Sequence, residues 1–376
     1  MLLLFSLPAL ALSQGLSLPP PRGPYNVGSK ELGLHHTTLN DPSAPNNIGD
    51  SLLVTIYYPT RDAAPLQKYM WDGLAAYYED LYQIAPGSFG NTTANIAYNA
   101  TPEACGLPTL LFGPAGAGPP SQLFFGLIAD SVSMGHAVVT VDHPYEQPYV
   151  RFPNGTGIKG HGVEWIDNLP LAEEVHAYRL TDNSAVLDTL PALAAELNMP
   201  LNLTHYILFG HSLGGSVSVG QELIERNRTA SANKTFMGGI NFDGTIFAPA
   251  DNNHTGIAMD ARMPTLLTGS SMRLNGQELS WSRFLSAQSS WRKSIVLSGS
   301  VNHTDFSDLV FMRQANGISG GEGAITATRL LEISRTIVGD FIGLVTGSGE
   351  GILSGNEEVG ESFPELHFTF NGTGEP

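Results

Sequence analysis

The strongest constraint on how this chain can fold is a serine held between glycines, where a strand pattern changes into a helix pattern. Residues 206–209 read Tyr-Ile-Leu-Phe, an apolar run typical of a buried strand, and residues 210–214 read Gly-His-Ser-Leu-Gly. A helical pattern that begins with small residues follows as far as Glu225. Only small neighbours tolerate so sharp a turn, which projects the serine hydroxyl above the sheet. The segment therefore predicts a strained, accessible Ser212 at the end of a strand.

Strand and helix patterns alternate along the chain. The strand patterns are residues 52–58, 109–112, 137–141, 206–209, 236–242, 265–269 and 294–298, and the helix patterns are residues 71–84, 121–133, 171–197, 213–225 and 324–345. Residues 14–50 are predicted to be extended with turns, and residues 142–169 to form a long polar loop. This alternation predicts an α/β fold with a mainly parallel central sheet and helices on both faces. Because no repeat or linker is found, residues 14–376 are predicted to form one domain.

Composition limits the partners of the chain. Its 376 residues carry a formal net charge of −17, 14% of them are charged, and 42% are hydrophobic. The hydrophobic fraction supplies a core, while the negative charge disfavours nucleic acid and anionic lipid as partners. Neutral or zwitterionic small molecules remain as ligands. No stretch after the N-terminal residues reaches 18 apolar residues, so no membrane span is predicted.

Local signals place the chain in the secretory pathway. Residues 1–13 form a short apolar run ending in small residues, typical of a signal peptide, although a buried first helix or strand would look similar. The sequon Asn-x-Thr occurs nine times and predicts a secreted glycoprotein; it begins at Asn91, Asn99, Asn154, Asn202, Asn227, Asn233, Asn253, Asn302 and Asn371. Asn302 is expected to stay unmodified, because its sequon contains His303, a candidate catalytic base, and because Phe306 is expected to draw the loop inward. The alternative is that Asn302 points into water and carries a glycan. Cys105 is the only cysteine, so no internal disulfide can form.

A serine hydroxyl becomes a nucleophile when a histidine removes its proton, and that histidine is held by a carboxylate. In folds with this turn, the chain order is serine, acid, histidine. Of the histidines after Ser212, His303 directly follows the strand pattern 294–298, at a carboxyl end where such sites gather. His254 lies in a polar loop and His367 in a strand-like tail. We therefore predict that His303 is the base.

The same argument selects the acid. Asp243 directly follows the strand pattern 236–242, at its carboxyl end, whereas Asp260 precedes the pattern 265–269 and would lie at the opposite edge of the sheet. The other candidates lie in a loop or too close to His303 along the chain, and they are Asp251, Asp305 and Asp308. Asp243 is therefore the predicted acid.

Two backbone N–H groups are needed to bind a developing oxyanion. One is predicted to be that of Leu213, directly after the serine, and the other that of Gly116, in the glycine-rich loop after the pattern 109–112. This loop lacks the lysine of a phosphate-binding loop and the spacing of a dinucleotide fingerprint. No His, Cys and carboxylate cluster has metal-ligand spacing. No cofactor and no metal are predicted.

Taken in order, these motifs resemble the secreted, plasma-type platelet-activating factor acetylhydrolases of the α/β-hydrolase superfamily. The likeness covers about residues 23–315, through residues 23–28, 36–37, 56–59, 210–215, 243–249 and 299–308. The resemblance implies a triad of Ser212, Asp243 and His303. It also implies hydrolysis of short sn-2 acyl esters of phospholipids, such as 1-alkyl-2-acetylglycerophosphocholine, through an acyl-serine intermediate, with transient contact with lipid surfaces.

Two departures from that family leave other functions open. The family's His-Gly pair in the oxyanion loop is Pro114-Ala115 here, and its Glu-His-Arg-Asp segment is 141–144, Val-Asp-His-Pro. One alternative is therefore a broad-specificity secreted carboxylesterase or polyester hydrolase. A second, of another class, is a catalytically inactive binding protein with a hydrolase fold.

Residues 71–84 carry several aromatic rings at near-helical spacing, namely Trp71, Tyr77, Tyr78 and Tyr82. Amphipathic rings suit a boundary between water and an apolar phase, so the segment could shape the mouth of a lipid-binding pocket. The alternative is that it packs on the core, as apolar helix faces generally do.

Overall fold

The computed structural model describes residues 15–104, 106–161, 169–247, 259–270, 273, 279–299, 301–320, 323–355, 359 and 361–372. The strands are β1 (Asn26–Leu39), β2 (Ile48–Thr60), β3 (Leu66–Lys68), β4 (Thr93–Asn95), β5 (Ala97–Tyr98), β6 (Thr109–Gly113), β7 (Val138–Asp142), β8 (Tyr149–Arg151), β9 (Gly157–Lys159), β10 (His205–His211), β11 (Thr235–Phe242), β12 (Thr265–Ser270), β13 (Arg292–Leu297) and β14 (Leu366–Gly372). The helices are α1 (Asp72–Leu81), α2 (Phe125–Ser133), α3 (Leu169–Glu196), α4 (Leu213–Glu225), α5 (Ser280–Ala287), α6 (Leu309–Ala315) and α7 (Ala327–Thr346). The predicted signal peptide and Cys105 lie outside the described residues.

Within that part of the chain, ten strands form one sheet in the order β14-β13-β12-β11-β10-β6-β7-β2-β1-β5. The strands from β7 to β13 in this order are all parallel, while β2 and β14 flank them antiparallel. The predicted α/β fold with a mainly parallel sheet is therefore confirmed. Since parallel strands end at the same edge, the residues that follow β10, β11, β12 and β13 meet there.

Hydrophobic cores cover both faces of this sheet. On β10, Ile207 and Phe209 face one core, which α2 and α7 cover. Tyr206 and Leu208 face the other core, which α3, α4 and α5 cover. Because successive side chains of a strand point to opposite faces, a continuous apolar run is what a strand buried on both sides requires.

The structure differs from the sequence-based expectation in several segments. Residues 14–50 contain a 14-residue strand, β1, that pairs with β2 over almost its whole length. Residues 142–169 contain the short hairpin β8–β9. Helices α5 and α6 and the short strands β3, β4 and β5 were not predicted either. These elements are polar or short, so their stability comes from the neighbours they pair with and pack against, which periodicity does not show.

The aromatic segment belongs mainly to the core. Its helix, α1, is shorter than the predicted 71–84, and the side chains of Trp71 and Tyr78 are buried in the core on the α2 side of the sheet. Tyr77 and Tyr82 are partly buried and pack against the same core, and their rings lie 5.0 and 6.1 Å from that of Tyr78. Burial of Trp71 and Tyr78 therefore favours the alternative that the segment packs on the core.

We expect Tyr78→Ser to destabilise the fold by about 3–5 kcal/mol, the usual cost of deleting a buried aromatic ring. Thermal unfolding would measure this loss. Activity on micellar lipid and on a soluble ester should fall in the same proportion, because a packing defect does not distinguish substrates. A loss confined to micellar lipid at an unchanged melting temperature would contradict the packing role.

Candidate active site

The serine predicted from the pentapeptide lies in a strained turn between β10 and α4. Ser212 has φ 56° and ψ −125°, a backbone conformation that residues other than glycine rarely adopt. Its N–H donates to the carbonyl of Phe242 at 2.7 Å, which ties the turn to β11. A Cβ at Gly214 would lie 2.1 Å from the carbonyl oxygen of Gly113, and one at Gly210 would lie 2.4 Å from that of Gly214. Only glycine fits at both positions. The close approach of the backbone segments therefore explains why the motif has glycine at residues 210 and 214.

The structure brings together the three side chains that the sequence predicts. His303 Nε2 lies 2.8 Å from the hydroxyl oxygen of Ser212, and His303 Nδ1 lies 2.7 Å from Oδ2 of Asp243. Asp243 is buried, whereas the His303 side chain is 37% exposed. The result is one hydrogen-bonded chain that runs from a buried carboxylate to a hydroxyl at the edge of the sheet.

Asp243 is held as an anion by several donors. Oδ1 accepts hydrogen bonds from the N–H of Ser270 and from Nε of Arg273, each at 3.0 Å. Burial by itself would raise the pKa of Asp243, but the hydrogen bond from His303 and the charge of Arg273 outweigh it and lower the pKa to about 2. An ionised carboxylate at this position orients the imidazole and stabilises its protonated form.

The residue before the serine supports the histidine from below. His211 is buried, and its Nε2 lies 2.8 Å from the backbone carbonyl oxygen of His303, so Nε2–H is the donor. The two imidazole rings lie 4.6 Å apart. Burial, with the nearby His303, lowers the pKa of His211 to about 3, so the ring is neutral at ordinary pH. His211 therefore fixes the His303 backbone without placing a second charge beside it.

The depressed pKa of His211 predicts an acid-sensitive contribution to stability. Below about pH 6.5 the unfolded chain binds a proton at His211 that the folded chain does not bind, so the free energy of unfolding falls as the pH drops from about 6.5 towards 3, with a slope of at most about 1.4 kcal/mol per pH unit. Urea unfolding at pH 7, 6, 5 and 4 would measure this slope, which should be shallower in His211→Asn. Identical slopes in the two proteins would contradict the prediction.

The glycine-rich loop after β6 lies against the serine turn. The side chains of Ala117 and Leu213 pack in one buried cluster with residues of α3, which places the loop beside the first residue of α4. Gly116 is buried within that loop. The N–H groups of Leu213 and Gly116 thus belong to adjacent segments of backbone, as the sequence predicts for a pair of oxyanion donors.

The rejected candidates that the structure describes lie elsewhere. Asp260 accepts from the N–H groups of Arg262 and Ser289, at 2.9 and 3.1 Å, before the start of β12. Asp305 pairs with Arg313 at 2.9 Å, Asp308 is buried against the N–H of Gly126, and His367 lies in β14 opposite Val296. His254 and Asp251 lie outside the described residues. The structure brings Asp243 and His303, and none of the described alternatives, to Ser212.

Sequence reasoning missed the donors around Asp243. Arg273 and Ser270 come at or just after the carboxyl end of β12, the strand next to β11. Their position at that edge was the available signal, and an arginine there is suited to hold a carboxylate. Asn302 is exposed although Phe306 is buried, so burial does not protect its sequon, and its lack of a glycan stays a prediction.

The residues that depart from the expected family pattern after β7 are internal supports. Asp142 is fully buried and accepts from the N–H of Ser121 at 2.7 Å, and burial raises its pKa. His143 is buried and binds Asp182 Oδ2 through Nδ1 at 2.9 Å, while His36 binds the other oxygen at 3.1 Å. These side chains therefore join β7 and the residues after it to Ser121, to α3 and to β1.

Two absences are limited to the described residues. There, no group of three or more His, Cys, Asp and Glu side chains is arranged to hold a metal ion. Among the helices described, none combines the length and the apolar character that crossing a membrane requires.

The fold and the site together define a class. The solved structure of the ferulic acid esterase from Streptomyces cinnamoneus superposes with a TM-score of 0.76 at 23% identity, covering 95% of this chain and 100% of that one. The likeness concerns the fold, which is the α/β-hydrolase fold. With a serine, a histidine and an aspartate joined at the carboxyl edge of its sheet, the chain has the architecture of a carboxylic ester hydrolase.

Sequence comparison adds two likenesses to that of the fold. A profile of the family described as platelet-activating factor acetylhydrolase, isoform II, matches residues 166–318. A protein of Arthroderma benhamiae (strain ATCC MYA-4681 / CBS 112371), named probable 1-alkyl-2-acetylglycerophosphocholine esterase, is 29% identical over 281 residues. That match covers 70% of this chain and 66% of the relative, just under two thirds of its length. Both matches agree with the resemblance to the platelet-activating factor acetylhydrolases that the motifs indicate.

Proposed function

We propose that this chain is a secreted serine esterase that uses Ser212 as nucleophile, His303 as general base and Asp243 as the carboxylate that orients the base. The observation that carries the proposal is the unbroken hydrogen-bonded chain Asp243–His303–Ser212, at 2.7 and 2.8 Å. The strained φ of Ser212 adds to it, because strain of this kind persists where a reactive group must be held in place.

The proposed reaction follows from this geometry. His303 Nε2 takes the proton of the Ser212 hydroxyl as its oxygen attacks the ester carbonyl, and Asp243 stabilises the imidazolium that forms. The N–H groups of Leu213 and Gly116 bind the oxyanion. Collapse of the tetrahedral intermediate expels the alcohol, which takes the proton from His303. Water, activated by the same histidine, then releases the acid and restores the serine.

We further propose that the substrate is a phospholipid with a short or oxidised sn-2 acyl chain. Two observations support this choice, the family profile over residues 166–318 and the printed name of the Arthroderma benhamiae relative. The net charge of −17 is compatible with a zwitterionic headgroup, because it repels anionic lipids more than neutral ones. Transient contact with a lipid surface is part of this proposal.

A parallel assay tests the substrate. Purified protein is given phosphatidylcholine with an sn-2 acetyl group, phosphatidylcholine with two long chains, and p-nitrophenyl acetate. We expect kcat/KM for the acetyl phospholipid to exceed that for the long-chain lipid at least ~100-fold. A pocket that fits a short acyl group excludes a long chain, so the long-chain lipid gains no binding energy there. Comparable rates on the lipids, with the aryl ester fastest, would instead favour a broad carboxylesterase. Absence of all three activities in protein that a fluorophosphonate does not label would favour a binding protein.

We also propose that the mature protein is secreted and glycosylated after removal of residues 1–13. Of the eight sequon asparagines that the structure describes, six are exposed, namely Asn91, Asn99, Asn154, Asn227, Asn233 and Asn302. Exposure is what the glycosyltransferase requires. Mass spectrometry of protein from culture medium, before and after glycosidase treatment, should show several glycans and an N-terminus near residue 14. Unmodified intracellular protein that begins at Met1 would contradict this proposal.

A further inference from the structure

A buried arginine holds the glycine-rich loop from behind. Arg179, on α3, is 1% exposed. Its Nη1 donates to the carbonyl oxygen of Pro114 at 2.6 Å, and its Nη2 donates to that of Ala115 at 3.0 Å. Two successive carbonyl groups are therefore bound by one planar cation. These are the two positions at which the loop departs from the His-Gly pair of the family it resembles.

The arginine is itself fixed by a buried anion. Nε of Arg179 donates to Oε2 of Glu146 at 3.0 Å, and Nη2 donates to Oε1. Glu146 is also fully buried and accepts a third hydrogen bond from the hydroxyl of Tyr178 at 2.6 Å. A guanidinium bound on both edges cannot rotate, and a lysine could not make the same forked set of contacts. Arg179 and Glu146 therefore hold the glycine-rich loop in a fixed position.

The geometry of the peptide bond links the direction of the Ala115 carbonyl to that of the Gly116 N–H. A trans peptide carries its C=O and its N–H on opposite sides, and none of the described peptide bonds is cis. Because the carbonyl of Ala115 points at Arg179, the N–H of the same peptide, which belongs to Gly116, points away from it. That N–H is the predicted second oxyanion donor.

We propose that Arg179, fixed by Glu146, is a positioning residue that orients the Gly116 N–H towards the oxyanion of the reaction. The inference rests on the proposed ester hydrolysis and adds to it the part that sets the geometry of the oxyanion site. Arg179 does not touch the substrate. It acts through the orientation of the peptide between Ala115 and Gly116. It therefore changes the stabilisation of the transition state and leaves substrate binding nearly unchanged.

The main test compares Arg179→Lys with the wild-type protein on a soluble ester. We expect kcat to fall ~10–100-fold and KM to change less than ~3-fold, since displacement of a catalytic group by about 1 Å costs this much. Affinity for a trifluoromethyl ketone, which forms a tetrahedral adduct with the serine, should fall by the same factor as kcat. A folded Arg179→Lys with wild-type kcat and wild-type ketone affinity would overturn the proposal.

Arg335 provides a matched control. It is also a buried arginine that binds three backbone carbonyls, those of Gly126, Pro20 and Pro19, but on α7 away from the serine turn. Arg335→Lys should lower the melting temperature with kcat and ketone affinity unchanged. If it lowers kcat as much as Arg179→Lys does, the effect is one of general stability and the proposal fails.

Two further measurements cover the case in which Arg179→Lys does not fold. The double variant Arg179→Met, Glu146→Met removes both buried charges together, which folds more readily than removal of one, and it should show the same loss of kcat. In a crystal structure of the wild-type protein after reaction with a phosphonate, the Gly116 N–H should lie within about 3 Å of the phosphoryl oxygen. A phosphoryl oxygen bound elsewhere overturns the proposal. Absence of Ser212-dependent hydrolysis in the wild-type protein would instead refute the proposed function.

Discussion

Replacing Ser212 by alanine should abolish labelling by a fluorophosphonate and lower ester turnover on the order of 10⁴–10⁶-fold, as removal of a nucleophile does. The physical reason is that Ser212 is the one hydroxyl within 2.8 Å of Nε2 of His303 among the described hydrogen bonds. The backbone of the turn is held by the N–H of residue 212 and by Gly210 and Gly214, so the variant should fold normally. Probe labelling and steady-state kinetics on the same preparation would measure both effects.

A buried serine of α4, the helix that follows Ser212, is the control for this result. Ser218 donates to the carbonyl of Gly214 at 2.8 Å, and no described hydrogen bond joins it to His303. Ser218→Ala should keep labelling and turnover. Normal turnover in Ser212→Ala would refute the nucleophile, the triad and the reaction together.

Replacing Asp243 by asparagine should lower kcat about 10³–10⁴-fold with little change in KM. The amide cannot carry the charge that the pKa of about 2 maintains on Asp243, and it leaves the Nδ1–H of His303 without an anionic acceptor. His303→Ala should have an effect at least as large. Kinetics on a soluble ester, with circular dichroism to confirm folding, would measure both.

Asp260 provides the control, because Asp260→Asn removes the same charge as Asp243→Asn at a different place in the fold. Asp260→Asn removes a carboxylate that accepts from the backbone near Ser289, at the opposite edge of the sheet. It should leave kcat within ~2-fold of the wild-type value, as is usual for a surface substitution away from the site. If Asp260→Asn costs as much as Asp243→Asn at equal folded yield, Asp243 is not the acid.

Most of the sheet could be predicted from local pattern alone. Apolar runs indicated the parallel strands, because a strand buried on both faces consists almost entirely of hydrophobic residues. Strand β1 was not recognised as a strand, since its residues face the core only in part and its stability depends on pairing with β2. The hairpin β8–β9 and helix α5 were missed because such short elements rely on their neighbours.

The sequence by itself determined which three side chains meet at the edge of the sheet. The glycines around Ser212 force one backbone geometry, and Asp243 and His303 each follow a strand pattern directly, so topology brings them to that edge. Tertiary structure alone decided which groups hold these three in place. Arg179 reaches Glu146 and Pro114 across 33 and 65 residues, and Arg273 reaches Asp243 across 30. Such contacts depend on side chains meeting after the helices pack on the sheet, and no local periodicity encodes them.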